Sequence, residues 1–162
     1  MAKIGTKPPR SATKVKSYSL DQSLGFSIYR VHTQGTNVLR RAFQAAGYDV
    51  TPEQWGVLAR LREEEGANQT QLGQKTLKDR HNITRILNLL EKRGYIERRP
   101  DKADKRAYRV FLTAAGRATQ EELAPIALDY RKSAFKGLTQ EDLRTMRILL
   151  ERIVKNLEKR LQ

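Results

Sequence analysis

Residues 80–116, RHNITRILNLLEKRGYIERRPDKADKRAYRVFLTAAG, decide the fold class of this chain. The stretch opens with apolar residues at spacings of three and four, which is the period of an amphipathic helix. It then becomes densely charged, with seven charged side chains among residues 98–106, and continues as alternating apolar and polar residues. This order predicts a helix, a strand, a charged turn and a second strand.

The predicted helix covers residues 80–93, with Asp79 as its N-cap and Gly94 at its end. Four apolar residues form its inner stripe: Ile83, Ile86, Leu87 and Leu90. The outer face carries amide and hydroxyl groups as well as basic groups: Arg80, His81, Asn82, Thr84, Arg85 and Asn88. Such groups can read base edges or bind phosphates, although a charged helix face is more often simply solvated.

The charged turn joins two predicted strands, residues 95–99 and 107–112. In the second strand, Tyr108, Val110 and Leu112 alternate with two other residues, as the period of a strand requires. Thr113 ends this strand and is placed to cap the next helix.

Five further helices are predicted around this stretch: residues 20–46, 52–64, 69–76, 114–137 and 140–161. The strongest start signal is the capping box formed by Thr51 and Gln54, with proline at the first helical position. Asn68 and Thr139 are placed to cap two of the others. Pro125 lies inside the fifth helical pattern, so we expect that helix to bend or break there.

The last helix carries an apolar stripe that fits a helix–helix interface. Its members follow spacings of three and four: Leu143, Met146, Leu150, Ile153, Leu157 and Leu161. The stripe belongs either to the chain's own core or to a dimer interface. The small size of the chain and the broad apolar faces of its first and last helices favour the dimer.

The chain of 162 residues is strongly basic, with a formal net charge of +14 and a pI near 10.3. Such a balance points to a polyanionic partner, namely DNA, RNA or an anionic membrane surface, or else to a merely soluble basic protein. Residues 1–18 predict a flexible basic arm without the apolar core of a signal peptide. With no apolar run of transmembrane length, the sequence predicts a cytoplasmic protein.

No catalytic, cofactor or metal motif is found in the sequence. Cysteine is absent, and His32 and His81 are too far apart in sequence to suggest a metal-ligand spacing. There is no nucleophile elbow, phosphate loop or dinucleotide fingerprint. We therefore expect no enzymatic activity, cofactor or metal, and we interpret His32 as a structural residue.

Two short helices followed by a hairpin suggest a winged helix-turn-helix. Here the chain resembles the MarR family of bacterial transcriptional regulators over nearly everything after residue 20. The resemblance lies in TPEQWGVLARL, NITRILNLLEKRGYIERR, DKRAYRVFLTAAGR and GLTQEDLRTMRILLERI, in that order. Its most specific part is LEKRGYIERR followed by DKR and then by Leu-Thr-x-x-Gly.

The resemblance implies a mainly α fold with a small β-hairpin, and an obligate homodimer. Residues 19–162 would form one winged-helix domain, with dimerisation helices in residues 19–47 and 114–162. Residues 48–113 would form the DNA-binding lobe, with its wing at about 95–113. Two lobes would then read a pseudo-palindromic operator in double-stranded DNA, with no membrane partner.

In the family the wing carries an Asp-x-Arg pattern, which Asp104 and Arg106 match. The resemblance implies that Arg106 enters the minor groove and that Asp104 orients it by an ion pair. Without the resemblance, the two residues could equally form a surface pair of little value. On the recognition helix we expect His81, Asn82, Thr84 and Arg85 to read bases. Phosphate contacts are expected from Arg80, Asn88, Arg98, Arg99, Lys102 and Lys105.

Family members often bind small aromatic acids or other lipophilic effectors beside the dimer base. Tyr29, Arg30 and Trp55 are candidates for such a site, although Trp55 is more simply interpreted as a core residue. Lack of cysteine excludes the thiol-based, peroxide-sensing branch. The sequence thus predicts a DNA-binding regulator, interpreted as a repressor released by a small molecule. The alternative is a winged-helix module that binds protein or RNA and has no operator of its own.

Overall fold

The computed structural model describes residues 19–101 and 107–161, of which Leu161 is described as backbone only. The elements are α1 (Leu24–Ala45), α2 (Pro52–Glu63), β1 (Ala67–Asn68), α3 (Gln69–Thr76), α4 (Arg80–Lys92), β2 (Ile96–Pro100), β3 (Tyr108–Leu112), α5 (Ala114–Ala134) and α6 (Gln140–Leu161). The chain divides into two units between Gln34 and Gly35, within α1. The predicted basic arm, residues 1–18, lies outside the described residues, as do residues 102–106 of the wing.

The helix starts follow the capping chemistry that the sequence predicts. At α2, the Gln54 amide N–H donates to Thr51 Oγ1 (3.2 Å), while the Thr51 N–H donates to Gln54 Oε1 (3.0 Å). At α6, Asp142 accepts hydrogen bonds from Thr139, which hold the pKa of its carboxyl below the ordinary value. These caps satisfy N–H groups that have no partner inside the helix.

The sheet has three antiparallel strands in the order β1-β3-β2, one more than the sequence predicts. The predicted hairpin is confirmed, with Ile96 opposite Leu112 and Arg98 opposite Val110. The additional strand β1 is only two residues long, and it pairs Ala67 with Val110. A strand of two residues is too short to show an alternating pattern in the sequence. It pairs with the edge of β3 that β2 does not occupy.

One hydrophobic cluster joins α2, α3, α4 and the sheet. Its buried members are Val57, Leu58, Leu61, Ala67, Leu72, Ile83, Ile86, Leu87, Leu90, Ile96, Val110 and Leu112. The predicted inner stripe of α4 is therefore confirmed in full. A second cluster, Leu39, Phe43, Val50 and Leu123, joins α1 to α5, and Trp55 packs against it.

The sequence predicts a bend or a break of α5 at Pro125, and the structure excludes the second of these outcomes. A break at Pro125 is not observed, because α5 continues through it to Ala134. Pro125 and Glu121 are both exposed, so water can solvate the Glu121 carbonyl that proline leaves without an amide partner.

None of the described side chains of α6 is buried within one chain. Leu143 and Ile153 are half-buried, whereas Met146, Leu150 and Leu157 are exposed. Among the described helices, none is both long enough and apolar enough to cross a bilayer.

The start of α5 is fastened to the turn between α4 and β2. Thr113 Oγ1 accepts from the Gly116 N–H (3.0 Å) and donates to the Gly94 carbonyl (2.6 Å), and the Thr113 N–H donates to the Tyr95 carbonyl (3.1 Å). Gly116 lies so close to that turn that a Cβ atom would overlap the Tyr95 carbonyl. This junction explains why a Leu-Thr-x-x-Gly sequence closes the wing.

Gly116→Ala should therefore lower the free energy of unfolding by about 1–3 kcal/mol, because the backbone must shift to admit the methyl group. Gly56→Ala is the matched control: a Cβ there meets nothing within 4 Å, and Gly56 lies inside α2. The same substitution should stabilise there by about 1 kcal/mol through helix propensity. Urea denaturation at one protein concentration measures both, and changes of the same sign would contradict the packing argument.

Candidate nucleic-acid interface

Helices α3 and α4, joined through Leu77, Lys78 and Asp79, form the helix-turn-helix. Asp79 caps α4 by accepting from the Asn82 N–H (2.8 Å) and from Asn82 Nδ2 (2.7 Å). These two hydrogen bonds hold the pKa of the Asp79 carboxyl below its ordinary value. At the turn, Lys78 Nζ donates to Glu53 Oε1 (2.7 Å), which lowers the pKa of Glu53 and ties the turn to α2.

Five of the six side chains predicted on the outer face of α4 are exposed: Arg80, His81, Asn82, Arg85 and Asn88. The sixth, Thr84, is half-buried and already hydrogen-bonded. Its hydroxyl donates to the Arg80 carbonyl (2.6 Å) and accepts from Gln69 Nε2 (2.8 Å). Thr84 thus joins α3 to α4, and its hydroxyl is not free for a base.

Most carboxylates in the described part of the lobe form ion pairs with cations other than Arg80 and Arg85, while Asp79 caps α4 through Asn82. Glu53 pairs with Lys78, Asp49 with Arg93, Glu64 with Lys75, Glu65 with Arg117, Glu91 with Arg98 and Glu97 with Arg99. In the described part of the chain, Arg80 and Arg85 form no ion pair. The outer face of α4 is therefore electropositive because its arginines keep their charge unpaired.

Two of the wing arginines hold the hairpin in place. Arg98 donates to Glu91 and to Asn88 Oδ1 (2.8 Å), which binds β2 to α4. Arg99 pairs with Glu97, and its guanidinium carbon lies 4.5 Å from the centroid of the Phe111 ring. Both were predicted to contact phosphates, and Arg98 is already committed to side chains of α4.

A third ion pair, which the sequence analysis missed, braces the root of the wing. Arg109 Nε donates to Asp101 Oδ2 (2.6 Å), and Arg109 Nη1 donates to the Gly66 carbonyl (3.0 Å). Asp101 is buried, and its N–H donates to the Ala107 carbonyl (3.0 Å). Arg99 and Arg109 lie opposite each other in the hairpin, and each has its own carboxylate partner, Glu97 and Asp101 respectively; this register is not encoded in the local sequence pattern.

The remaining predicted wing residues, Lys102, Asp104, Lys105 and Arg106, lie outside the described residues. The Asp101–Arg109 pair fixes the root of the wing. The roles predicted for the four residues at its tip stay predictions.

The C-terminal end of α4 is attached to the connection between α1 and α2. Arg93 donates to the carbonyl and the carboxylate of Asp49, and its Nη1 donates to Gln54 Oε1 (3.1 Å). Gln54 is buried and also forms the cap of α2. A single buried amide therefore links the start of α2 to the end of α4.

The candidate effector residues are placed as follows. Trp55 packs on Phe43 with ring centroids 6.0 Å apart, and its Nε1 is buried without a hydrogen-bond partner among the described residues. Tyr29 and Arg30 are exposed on α1, where Tyr29 stacks on Phe26. Trp55 is thus a packed residue that also holds an unsatisfied donor.

Comparison with known proteins identifies the group to which this arrangement belongs. Residues 48–107 match the sequence model of the MarR family. The uncharacterised helix-turn-helix regulator YybA of Bacillus subtilis is 31% identical over 111 residues, which is 68% of this chain and 74% of YybA. This chain belongs to the MarR family.

Two other relatives extend the comparison of this MarR-family chain. The transcriptional repressor IacR of Pseudomonas putida is 26% identical over 129 residues, 80% of this chain and 76% of IacR. A crystal structure of a mutant MarR from E. coli complexed with operator DNA is 28% identical, with a TM-score of 0.74 over 80% of this chain and 92% of that one. The chain spans 64% to 76% of the length of the curated relatives it matches.

In this MarR-family regulator, Arg98 holds the hairpin against α4, whereas Arg85 is exposed and available to a partner. Arg98→Ala should lower the free energy of unfolding by about 1–3 kcal/mol, because it leaves Glu91 and Asn88 without their partner. Arg85→Ala should change it by less than about 0.5 kcal/mol, because Arg85 is exposed and unpaired. Thermal or urea unfolding compares the two, and equal losses would show that Arg98 does not fasten the hairpin.

Proposed function

We propose that this chain is a sequence-specific, DNA-binding repressor that acts in the cytoplasm as a homodimer and is released by a small ligand. The observation that carries the proposal is the outer face of α4. It combines exposed amide and imidazole groups with two unpaired arginines, beside a hairpin that is fastened to the same helix. The operator complex of E. coli MarR, a relative of the same fold, supports DNA as the partner.

Base reading is assigned to the exposed side chains at the start of α4. Arginine can bind guanine bidentately, and an asparagine amide can pair with adenine. Arg85 is available for the first contact. Asn82 uses its Nδ2 group on Asp79, which fixes the orientation of the amide. His81 completes the set, while Thr84 contributes through its methyl group, since its hydroxyl is hydrogen-bonded elsewhere.

Phosphate contacts are assigned to Arg80, Asn88, Arg99, Lys102 and Lys105. For the wing tip we propose that Arg106 enters the minor groove, where a narrow A·T-rich groove attracts arginine. Asp104 would orient Arg106 and so reduce the side-chain freedom lost on binding. The braced root formed by Asp101 and Arg109 supports such a probe, because it fixes the strands from which the tip extends.

The homodimer is proposed from the exposed apolar surface of the long helices. α6 buries none of its described side chains within one chain. A groove of about 520 Å³ beside it is lined by Phe135, Leu143, Met146, Leu150 and Val154 together with charged residues. A monomer rarely leaves so long an apolar face in water, and a second copy supplies a matching surface under two-fold symmetry.

The decisive test uses DNA that flanks the chain's own gene. The parent protein should sediment near twice 18.6 kDa and retard a pseudo-palindromic site in the presence of heparin. Two-fold symmetry places the half-sites about 10 base pairs apart, so inserting about 5 base pairs should abolish tight binding. With about six to ten phosphates contacted, affinity should fall ~10³–10⁵-fold between 50 and 200 mM salt.

The controls decide between the two candidate functions. Arg85→Ala, which removes a proposed base reader, should weaken operator binding by about 1–3 kcal/mol and relax sequence preference, whereas Arg80→Ala should weaken binding to all duplexes and lower the salt slope by about one. Equal affinity for the split site, for unrelated duplexes and for RNA would contradict the regulator and favour the interaction module. A monomer that still binds the palindrome would contradict the dimer.

For the effector we propose a small aromatic acid that accepts a hydrogen bond from Trp55 Nε1. This buried donor lacks a partner among the described residues, and an unsatisfied buried donor is costly unless a ligand fills the need. Tyr29 and Arg30, both exposed on α1, remain sequence-based candidates for effector contacts. Gln54 is the residue before Trp55, and it accepts a hydrogen bond from Arg93 at the end of α4. A ligand that moves Trp55 would therefore act on the position of α4 through Gln54.

Trp55 is the sole tryptophan of the sequence, so its fluorescence reports on this site directly. Benzoate, used as the probe, should change the emission saturably and release the operator at the same concentrations. Trp55→Phe keeps an aromatic side chain but removes the N–H donor, and it should raise the benzoate concentration needed for release at least about tenfold. If benzoate changes emission without changing operator affinity, the ligand does not control DNA binding; if it changes neither, Trp55 is a core residue only.

A further inference from the structure

Leu77, in the turn between α3 and α4, has an unusual backbone conformation. With φ 53° and ψ 41°, it is the one non-glycine residue with positive φ among those described. Residues other than glycine, asparagine and aspartate rarely adopt this left-handed conformation, because the Cβ atom of an L-amino acid crowds the backbone. The turn requires this backbone conformation but does not require a leucine to adopt it.

The side chain of Leu77 gains nothing from the fold in return. It is 92% exposed, the highest value among the large apolar side chains described. Glycine would form the same turn without strain, and asparagine would form it with less. Strained residues of this kind persist where the side chain has a use outside the chain's own packing.

The surroundings of Leu77 indicate what that use is. Leu77 lines a groove of about 1090 Å³ that runs between α3, the start of α4 and strand β3. Neutral hydrogen-bonding side chains make up much of its wall: Asn68, Gln69, Thr70, Gln74 and Tyr108. The groove adjoins Arg80 at the start of the proposed DNA-reading face.

Most charges in this groove are already matched. Lys78 pairs with Glu53, and Arg98 with Glu91, while Asp79 accepts hydrogen bonds from Asn82. The groove therefore offers neutral donors and one leucine rather than a concentration of cations. That chemistry fits a sugar–phosphate strand, whose phosphate oxygens accept hydrogen bonds and whose deoxyribose rings present C–H surface.

We propose that Leu77 packs against a deoxyribose of the operator strand that passes between α4 in the major groove and the wing. The inference rests on the proposed DNA-binding function and adds a contact that reads neither a base nor a charge. It explains why the leucine is exposed in the free protein, since its apolar surface is buried only in the complex.

Three substitutions test this assignment on the full-length protein bound to its operator. Leu77→Gly should raise the unfolding temperature yet weaken operator binding about tenfold, as expected for loss of one buried leucine contact. Leu77→Asn retains a residue that tolerates the left-handed conformation without the freedom of glycine, and it should weaken binding similarly. Leu77→Met is the matched control and should bind within about twofold of the parent.

The salt dependence separates this contact from a general loss of structure or charge. Because leucine neutralises no phosphate, plots of log Kd against log salt for the Gly and Asn variants should run parallel to that of the parent. Unchanged or tighter operator binding by both variants would overturn the assignment while leaving the DNA-binding function intact. A parent protein without operator preference would overturn the function and this contact together.

Discussion

The burial of one side of α4 is the constraint on which the rest of the lobe depends. Ile83, Ile86, Leu87 and Leu90 are all buried against α2, α3 and the sheet, so the rotation of α4 about its axis is fixed. Burying four such side chains contributes roughly 6–12 kcal/mol before entropy is counted, which exceeds the worth of any surface contact. Because that face is inward, the face with Arg80, His81 and Arg85 must be outward. Packing thus determines which side chains a partner meets.

Polar tethers then refine the position that packing sets. Arg98 holds β2 at one side of α4, Arg93 holds the α1–α2 connection at its end, and Thr84 holds α3 through Gln69. Two of these tethers use side chains, Arg98 and Thr84, that the sequence analysis assigned to nucleic acid. The strongly basic composition is therefore only partly available for binding, and the unpaired arginines of α4 are among the charges that remain available.

Local chemistry in the sequence predicted much of this fold. The caps at Thr51, Asn68 and Thr139 depend on neighbours three residues away, and the α4 stripe depends on one helical period. Strand β1, the Asp101–Arg109 brace and the Gln54–Arg93 bond could not be predicted in this way. Strand β1 and the Gln54–Arg93 bond join residues that only the tertiary fold brings together, and the Asp101–Arg109 brace depends on the exact register of the hairpin; Arg109 also reaches Gly66, 43 positions away. Helical periodicity predicted which side chains lie on the outer face of α4. It could not predict that Thr84 and Arg98 form hydrogen bonds within the fold.

The path of α5 has a mechanical consequence. Its first turn is locked to the lobe through Thr113 and Gly116, while Leu123 is buried in the second cluster. Two residues later, Pro125 removes one hydrogen bond from an otherwise continuous rod. α5 is thus held by hydrogen bonds and packing where it leaves the lobe, and it lacks one backbone hydrogen bond just beyond Leu123. If α5 bends, the missing hydrogen bond makes the exposed residues around Pro125 the place where bending costs least, so the packed lobe would move as one body.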